Sequence, residues 1–252
     1  MPTLHHFNAG AFDFLEGGFP YSAGVIAAPG SRLVRVRLAY GPDVTAGFIR
    51  IARHLKEVGR PLTSLCAVEL RSPRQFSFAG FHEFNVEYVK VLTAWGLVRD
   101  GLNAVARSNV CPVVDAPLTP AFHAFTYTVP ENSTTQGRDY VVAGSGEWPE
   151  GHPFPQDIVA RDDCTIAGLS EKVQFVMRTM KERCGGLGGA WSRLSGAQIY
   201  TTHDFHSLVE THFASEGLTR HGLSWHFCKP PIIGLEFEMD VRSVLSELLL
   251  LE

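Results

Sequence analysis

The two halves of this 252-residue chain carry matching residue patterns at the same spacings. In the first half, a proline follows Arg107 by ten residues and His123 follows it by sixteen. In the second half, a proline and Glu236 follow Arg220 by the same two intervals. The match is one of spacing and pattern, and it predicts a small fold present in two tandem copies. Such a duplication would build its sites differently from one large domain.

A polar segment near the middle of the chain predicts the boundary between the two copies. Residues 130–137 read Pro-Glu-Asn-Ser-Thr-Thr-Gln-Gly, a run of polar and turn-forming residues. The chain is long enough for each half to bury a core of its own. We therefore predict a first domain over residues 1–131, a linker over about 132–137 and a second domain over 138–252.

Hydrophobic periodicity predicts the same order of elements in both halves. Apolar and basic residues alternate over 32–38 as in a half-exposed strand, and apolar residues at helical spacing follow over 48–55. The fold class predicted is α+β, with two helices packed on one face of each mixed sheet. The other predicted strands are 65–70, 106–114, 123–129, 140–144, 197–202, 223–227 and 235–241; the other predicted helices are 82–95, 170–183 and 205–213, and residues 244–251 are predicted to form a short apolar helix or tail.

Charge and hydropathy exclude several classes of function. The formal net charge is -4, and the basic residues form no stripe of the kind that binds nucleic acid. No apolar run approaches the roughly 18 residues of a membrane span, and the first residues do not resemble a signal peptide. We therefore expect a cytoplasmic protein that contacts neither nucleic acid nor a membrane.

The cysteines and histidines give no metal-binding pattern. The five cysteines are odd in number and widely spaced, which favours reduced thiols. His203, His206 and His212 lie near one predicted helix, but their spacing does not form a convincing ligand set. We predict no bound metal and no cofactor.

Five short motifs, in order along nearly the whole chain, resemble those of the Rid family, also called YjgF or L-PSP. The resemblance implies two tandem copies of a chorismate-mutase-like fold, in a family whose members usually form trimers. The motifs are Pro20-Tyr21-Ser22, Phe84-Asn85-Val-Glu-Tyr88, Ala106-Arg107-Ser108, Gly144-Ser145-Gly146-Glu147 and Leu235-Glu236-Phe237-Glu238.

The resemblance also implies a chemistry. In catalytic Rid proteins an arginine holds the substrate carboxylate, a glutamate on the last strand positions water, and the site lies between subunits. Arg107 and Glu236 match these two positions, and His123 stands where the first copy would carry its glutamate. A guanidinium binds a planar carboxylate through two hydrogen bonds, and a neutral imidazole can accept a proton near neutral pH.

Each copy retains only part of the family's motif set, which suggests one composite site. We expect Arg107 of the first copy to meet Glu236 of the second across a domain or subunit interface. Arg220 lines up with Arg107 only through the internal register. Structural alternatives stay open: Arg107 and Arg220 could pair with carboxylates, Glu236 could lie on a solvated face, and His123 could be a buried, hydrogen-bonded histidine. The remaining predicted substrate contacts are Tyr21, Asn85, Ser145, Gly146 and Arg220.

The resemblance therefore implies hydrolytic deamination of a small enamine or imine that carries a carboxylate, such as a 2-iminoacid or an aminomuconate-like compound. One alternative is a chorismatase-like hydrolase or lyase acting on a cyclic carboxylate. Another is a Rid-like protein that binds a small ligand without catalysis. The endoribonuclease activity ascribed to the family fits poorly with the negative charge. The expected partners are a small carboxylate substrate and further copies of the same chain, as a trimer.

Overall fold

A computed structural model describes residues 2–131, 137–220 and 222–251, and its elements form two mixed sheets with helices packed against them. Most of the predicted linker, residues 132–136, lies outside the described part of the chain. The α+β class predicted from the sequence is confirmed. The helices are α1 (Val44–Glu57), α2 (Phe78–Ala94), α3 (Ile166–Gly186) and the short α4 (His206–Leu208), which continues as one π-helical segment, Val209–Ala214.

The strands of the chain's first part include an N-terminal meander that the periodicity did not predict. Residues 4–27 contain three short strands, in which β1 pairs antiparallel with β2 and β2 pairs antiparallel with β3. The strands are β1 (Leu4–Phe7), β2 (Phe12–Leu15), β3 (Gly24–Ala27), β4 (Ser31–Leu38), β5 (Leu65–Arg71), β6 (Val98–Arg99), β7 (Leu102–Asn103), β8 (Ala106–Pro112) and β9 (Ala121–Pro130). β6 and β7 form a separate two-stranded ribbon.

Six further strands follow the midpoint of the chain. They are β10 (Tyr140–Gly146), β11 (Gly196–Thr201), β12 (Leu223–His226), β13 (Cys228–Lys229), β14 (Phe237–Ser243) and β15 (Ser246–Leu250). The six-stranded sheet has the order β13-β8-β5-β9-β4-β15, and the seven-stranded sheet has the order β1-β2-β3-β10-β14-β11-β12.

Each sheet draws strands from both halves of the chain. The N-terminal meander joins the seven-stranded sheet through β3, which pairs antiparallel with β10. In return, β13 and β15 pair with β8 and β4 at the two edges of the six-stranded sheet. The division into domains 1–131 and 138–252 stays a prediction, because the two sheets do not separate at the midpoint.

Side-chain caps and apolar stripes explain where the long helices form. Asp43 begins α1 by accepting a hydrogen bond from the backbone N–H of Ala46 at 2.8 Å, and Ser77 caps α2 in the same way at 3.0 Å. The predicted stripe of α1 is buried at Phe48, Ile51 and Leu55. Within the described ranges, no helix has both the length and the apolar character needed to cross a membrane.

The C-terminal segment differs from its prediction. Residues 244–251 were expected as a short apolar helix or tail, but Ser246–Leu250 form strand β15. Five residues form too short a helix to offset the cost of nucleation, whereas the edge strand β4 offers backbone partners at once. The sequence pattern failed here because the four consecutive leucines at 248–251 carry no period.

A buried ion pair ties helix α3 to the start of β14. Lys172 Nζ lies 3.3 Å from Glu147 Oε1, and both side chains are fully buried. Glu147 also accepts hydrogen bonds from the backbone N–H groups of Glu236 and Phe237 at 2.7 and 3.1 Å. Burial raises the pKa of Glu147, and the Lys172 charge opposes that shift. The ion pair therefore fixes the start of β14, the strand that carries Glu238.

Replacing Lys172 with methionine is expected to lower the free energy of unfolding by about 3–5 kcal/mol, because it leaves a buried carboxylate without its counter-charge. Urea unfolding followed by circular dichroism measures the change. The double variant Glu147→Gln/Lys172→Met is the control, since the amide oxygen can still accept a backbone hydrogen bond. It should be more stable than the single variant, and equal stabilities would contradict the assignment.

Candidate active site

A pocket of about 320 Å³ lies where helix α2, residues 18–21 and the ends of β10 and β14 meet. Its volume is in the range typical of small-molecule sites. Of the predicted site residues, five line this pocket within a single chain. They are Tyr21, Asn85, Arg107, Ser145 and Gly146.

Arg107 lies on β8 with its guanidinium in an aromatic cage. The side chain is 2% exposed, and its Nη2 donates a 2.8 Å hydrogen bond to Asn85 Oδ1. Among the described residues, its Nη1 has no hydrogen-bond partner. Burial lowers the pKa of Arg107, but an arginine stays charged at physiological pH. The guanidinium carbon lies 5.0, 5.4, 5.9 and 4.8 Å from the ring centroids of Tyr21, Phe81, Phe84 and Tyr88, respectively.

Among the residues that the structure describes, no carboxylate makes a hydrogen bond to this cation, so a carboxylate that enters the pocket would satisfy it. A charge-assisted pair in such a desolvated place is stronger than one at the surface. The cage also explains why the second helix carries its Phe-Asn-x-x-Tyr motif: Asn85 orients the guanidinium, while Phe84 and Tyr88 stack on it.

Glu238 on β14 supplies the carboxyl group of the pocket. It is 4% exposed, and burial raises its pKa well above that of an ordinary glutamate. The negative charges of Asp240 and Glu147 raise the pKa further, while Arg107 lowers it. Glu238 therefore keeps its proton at a pH where a solvent-exposed glutamate has lost it, which is the condition for a general acid.

The end of β10 brings backbone close to this carboxyl group. A Cβ at Gly144 would collide with Glu238 Oε1 and crowd Ser108, so a larger residue there would displace the Glu238 carboxyl group. The pairing of β10 with β14 shifts register between Val142 and Ser145, as at a β-bulge. This irregularity turns the Ser145–Gly146 segment towards the pocket.

Asn109 lines the pocket but was not predicted as a site residue. It follows Arg107 by two residues on β8, so both side chains lie on the same face of the strand. Its Oδ1 accepts a 2.9 Å hydrogen bond from Ser72 Oγ, and its Nδ2 has no partner among the described residues. The period of two along the strand was the signal that could have identified it.

The structure places Glu236 outside this pocket. Glu236 precedes β14, and its carboxylate lies 2.8 Å from His203 Nε2. The backbone N–H of Glu236 donates a hydrogen bond to Glu147, which fixes the chain just before β14. Glu238, two residues later, is the glutamate that lines the pocket. The matched motif contains both Glu236 and Glu238, and nothing in the sequence indicates which of them faces the pocket.

His123 and Arg220 also lie away from the pocket. His123 lines a separate, open cleft with Arg37 and Arg71, where burial and the nearby Arg71 charge lower its pKa to about 3. His123 is therefore neutral across the physiological range. Arg220 is exposed at the end of a short 3-10 turn before β12 and does not line the pocket.

Comparison with known proteins agrees with a catalytic role for this fold. The model of the family described as "2-aminomuconate deaminase CnbZ" matches residues 4–248. The 2-amino-5-chloromuconate deaminase of Comamonas testosteroni is 41% identical over 251 residues, which cover 99% of this chain and 100% of the relative. These matches identify the chain as an enzyme.

The chain belongs to the 2-aminomuconate deaminase CnbZ family. The tandem duplication expected from the Rid resemblance stays a prediction. Two solved structures show distant likeness. A chorismatase has 9% identity and a TM-score of 0.45, with 88% of this chain and 77% of that chain covered. The YjgF gene product of E. coli has 12% identity and a TM-score of 0.32, with 53% and 92% covered.

Proposed function

We propose that this enzyme hydrolytically deaminates a 2-aminomuconate-like substrate, an enamine or imine next to a carboxylate. The family and the relative's activity on 2-amino-5-chloromuconate support the substrate class. The observation that carries the mechanism is the single pocket in which the caged cation Arg107 and the proton-holding Glu238 both lie.

Substrate binding begins at Arg107. The substrate carboxylate accepts hydrogen bonds from the guanidinium, including Nη1, and the aromatic cage excludes water from that contact. Asn85 keeps the guanidinium in place, and Tyr21 forms a wall of the pocket, with its hydroxyl donating to Glu150 at 3.2 Å. Asn109 Nδ2 and the Ser145 hydroxyl are further polar groups for the rest of the substrate.

Proton transfer then falls to Glu238. The protonated carboxyl donates its proton to the enamine carbon, which gives an iminium and a Glu238 carboxylate. This carboxylate accepts a proton from water as the water oxygen bonds to the iminium carbon, which gives a carbinolamine. The amino nitrogen takes the proton back and leaves as ammonia, and Glu238 regains a proton from the hydroxyl as the ketone forms. One water is consumed and one ammonia released, and Glu238 ends as it began.

The decisive experiment supplies freshly generated 2-aminomuconate to the purified enzyme and follows ammonia release together with loss of the enamine absorbance. We expect one ammonia per substrate consumed and incorporation of solvent ¹⁸O into the new ketone. Pyruvate release from chorismate would instead favour the chorismatase-like hydrolase or lyase. Saturable binding of the dicarboxylate without ammonia release would favour the non-catalytic alternative.

The proposal includes a cytoplasmic location, which rests on the cysteine pattern and on first residues that do not resemble a signal peptide, and assembly as a homotrimer, which rests on the resemblance to the Rid family. The pocket itself is formed by one chain, with Arg107 before the midpoint and Glu238 after it. The composite site predicted across an interface is therefore proposed to lie between the two halves of a single chain.

A further inference from the structure

Three side chains with different donor atoms converge at the surface near the start of β14. They are Cys164, His203 and Glu236, and their donor atoms all lie within 4.8 Å of one another. We propose that this cluster binds a zinc ion, with the three side chains as ligands and water in the fourth position. This site is separate from the pocket of the proposed function and does not depend on it.

The donor set favours zinc over other common divalent cations. A thiolate, an imidazole and a carboxylate together suit Zn²⁺, whereas Mg²⁺ and Ca²⁺ prefer oxygen ligands alone. Three protein ligands with one open position is a common zinc arrangement. Cys164 is exposed and the other two side chains are half-buried, so solvent can supply the fourth ligand.

The spacing of the donor atoms is compatible with coordination. Zinc bonds of about 2.0–2.3 Å at tetrahedral angles place ligand atoms roughly 3.3–3.6 Å apart. His203 Nε2 and Glu236 Oε2 are 2.8 Å apart, and no separation in the cluster exceeds 4.8 Å. Small rotations of exposed or half-buried side chains therefore bring the atoms to coordination distances.

The backbone behind each ligand is held by hydrogen bonds. Asp163 Oδ1 accepts from the backbone N–H and the hydroxyl of Thr165 at 2.8 and 2.7 Å, which fixes the turn that carries Cys164. Thr201 Oγ1 donates to the carbonyl of Glu236 at 2.8 Å and accepts from the N–H of His203 at 3.2 Å. The cluster is therefore a set of fixed positions rather than a chance meeting of long side chains.

Zinc at this position would connect three places: the loop before α3, which carries Cys164; the segment after β11, which carries His203; and the residue before β14, Glu236. The three ligands come from residues far apart in sequence, so the ion would close two long loops. We therefore expect zinc to raise the melting temperature, because a ligand that binds only the folded chain stabilises it.

The test is a titration of the full-length, chelator-treated enzyme with Co²⁺ and then Zn²⁺. We expect one Co²⁺ per chain, a near-ultraviolet thiolate-to-cobalt charge-transfer band, and displacement by zinc. Cys164→Ser and His203→Gln should each weaken zinc binding by roughly a hundredfold or more, since loss of even a supporting partner costs about 10–100-fold. His206→Gln, which alters an exposed histidine three residues after His203, is the matched control and should bind like the wild type.

A second readout uses the thiol itself. Cys164 is the exposed cysteine, whereas the other four are buried, so alkylation of the native enzyme reports on this residue. Zinc should protect Cys164 from iodoacetamide in the wild type and the His206→Gln variant, but not in the His203→Gln variant. The absence of a thiolate band with Co²⁺, or unchanged zinc affinity in Cys164→Ser, would overturn the proposal.

Discussion

Replacing Arg107 with methionine is expected to lower kcat/KM by about 10²–10⁴-fold while leaving the fold intact. The variant removes two charge-assisted hydrogen bonds to the substrate carboxylate, each contributing about 1.5–3 kcal/mol. At 1.36 kcal/mol per tenfold change in rate, their sum gives this range. Steady-state kinetics with 2-aminomuconate measures the loss, which should appear mainly in KM because the carboxylate is bound throughout the reaction.

The stability of this variant should move in the opposite direction to its activity. Arg107 is buried and has no carboxylate partner within the described part of the chain, whereas methionine packs favourably against the rings of Tyr21 and Tyr88. We therefore expect a melting temperature equal to or above that of the wild type. Arg220→Ala provides the contrast, since the structure places that exposed arginine away from the pocket. A greater loss of activity in Arg220→Ala than in Arg107→Met would overturn the assignment.

Replacing Glu238 with glutamine is expected to lower kcat by about 10²–10⁴-fold, the usual contribution of a general acid–base group. Glutamine keeps the shape and one hydrogen-bond acceptor, but it cannot cycle a proton between the enamine carbon, the water and the leaving ammonia. KM should change little, because Arg107 still binds the carboxylate. Glu236→Gln is the matched contrast in the same motif, and its loss of kcat should stay below about tenfold.

The pH dependence of kcat/KM distinguishes a general acid at position 238 from a residue that only lines the pocket. Because the raised pKa of Glu238 keeps the carboxyl protonated, kcat/KM should fall as the pH rises through that pKa, and Glu238→Gln should lack this limb. The raised pKa of Glu238 also makes the free energy of unfolding depend on pH. The folded chain binds the Glu238 proton more tightly than the unfolded chain does. The resulting contribution to the free energy of unfolding is full below the pKa of the unfolded glutamate, about 4.3, and is lost as the pH rises through the folded pKa. An unchanged alkaline limb in Glu238→Gln would exclude Glu238 as the acid.

Much of the fold follows from local pattern, and the exceptions have identifiable causes. The alternating residues of 32–38 and the apolar stripe of 48–55 specify strand β4 and helix α1 directly. The N-terminal meander and β15 could not be predicted in the same way. Their place depends on pairing with β10 and β4, which are remote in sequence, and periodicity reports only on local structure.

The site was predictable where a motif identified a residue and its neighbours together. Arg107, Asn85 and Tyr21 belong to motifs that meet in space, and all three line the candidate pocket, where their roles stay predictions. Glu238 was missed because the motif holds two glutamates two residues apart. A regular strand places both on the same face, so the sequence alone does not indicate which of them reaches the pocket. The cluster of Cys164, His203 and Glu236 was missed because its members are too far apart for any spacing rule to join them.

The exchange of strands between the two sheets has a consequence for synthesis on the ribosome. Strand β3 is made well before its partner β10, which begins at Tyr140. In the other sheet, β4 pairs with Ser246–Leu250, which is made after every other strand that the structure describes. Neither sheet is therefore complete until segments from both halves of the chain have been made. Long-range pairing of this kind slows folding and leaves unpaired edges exposed in the nascent chain.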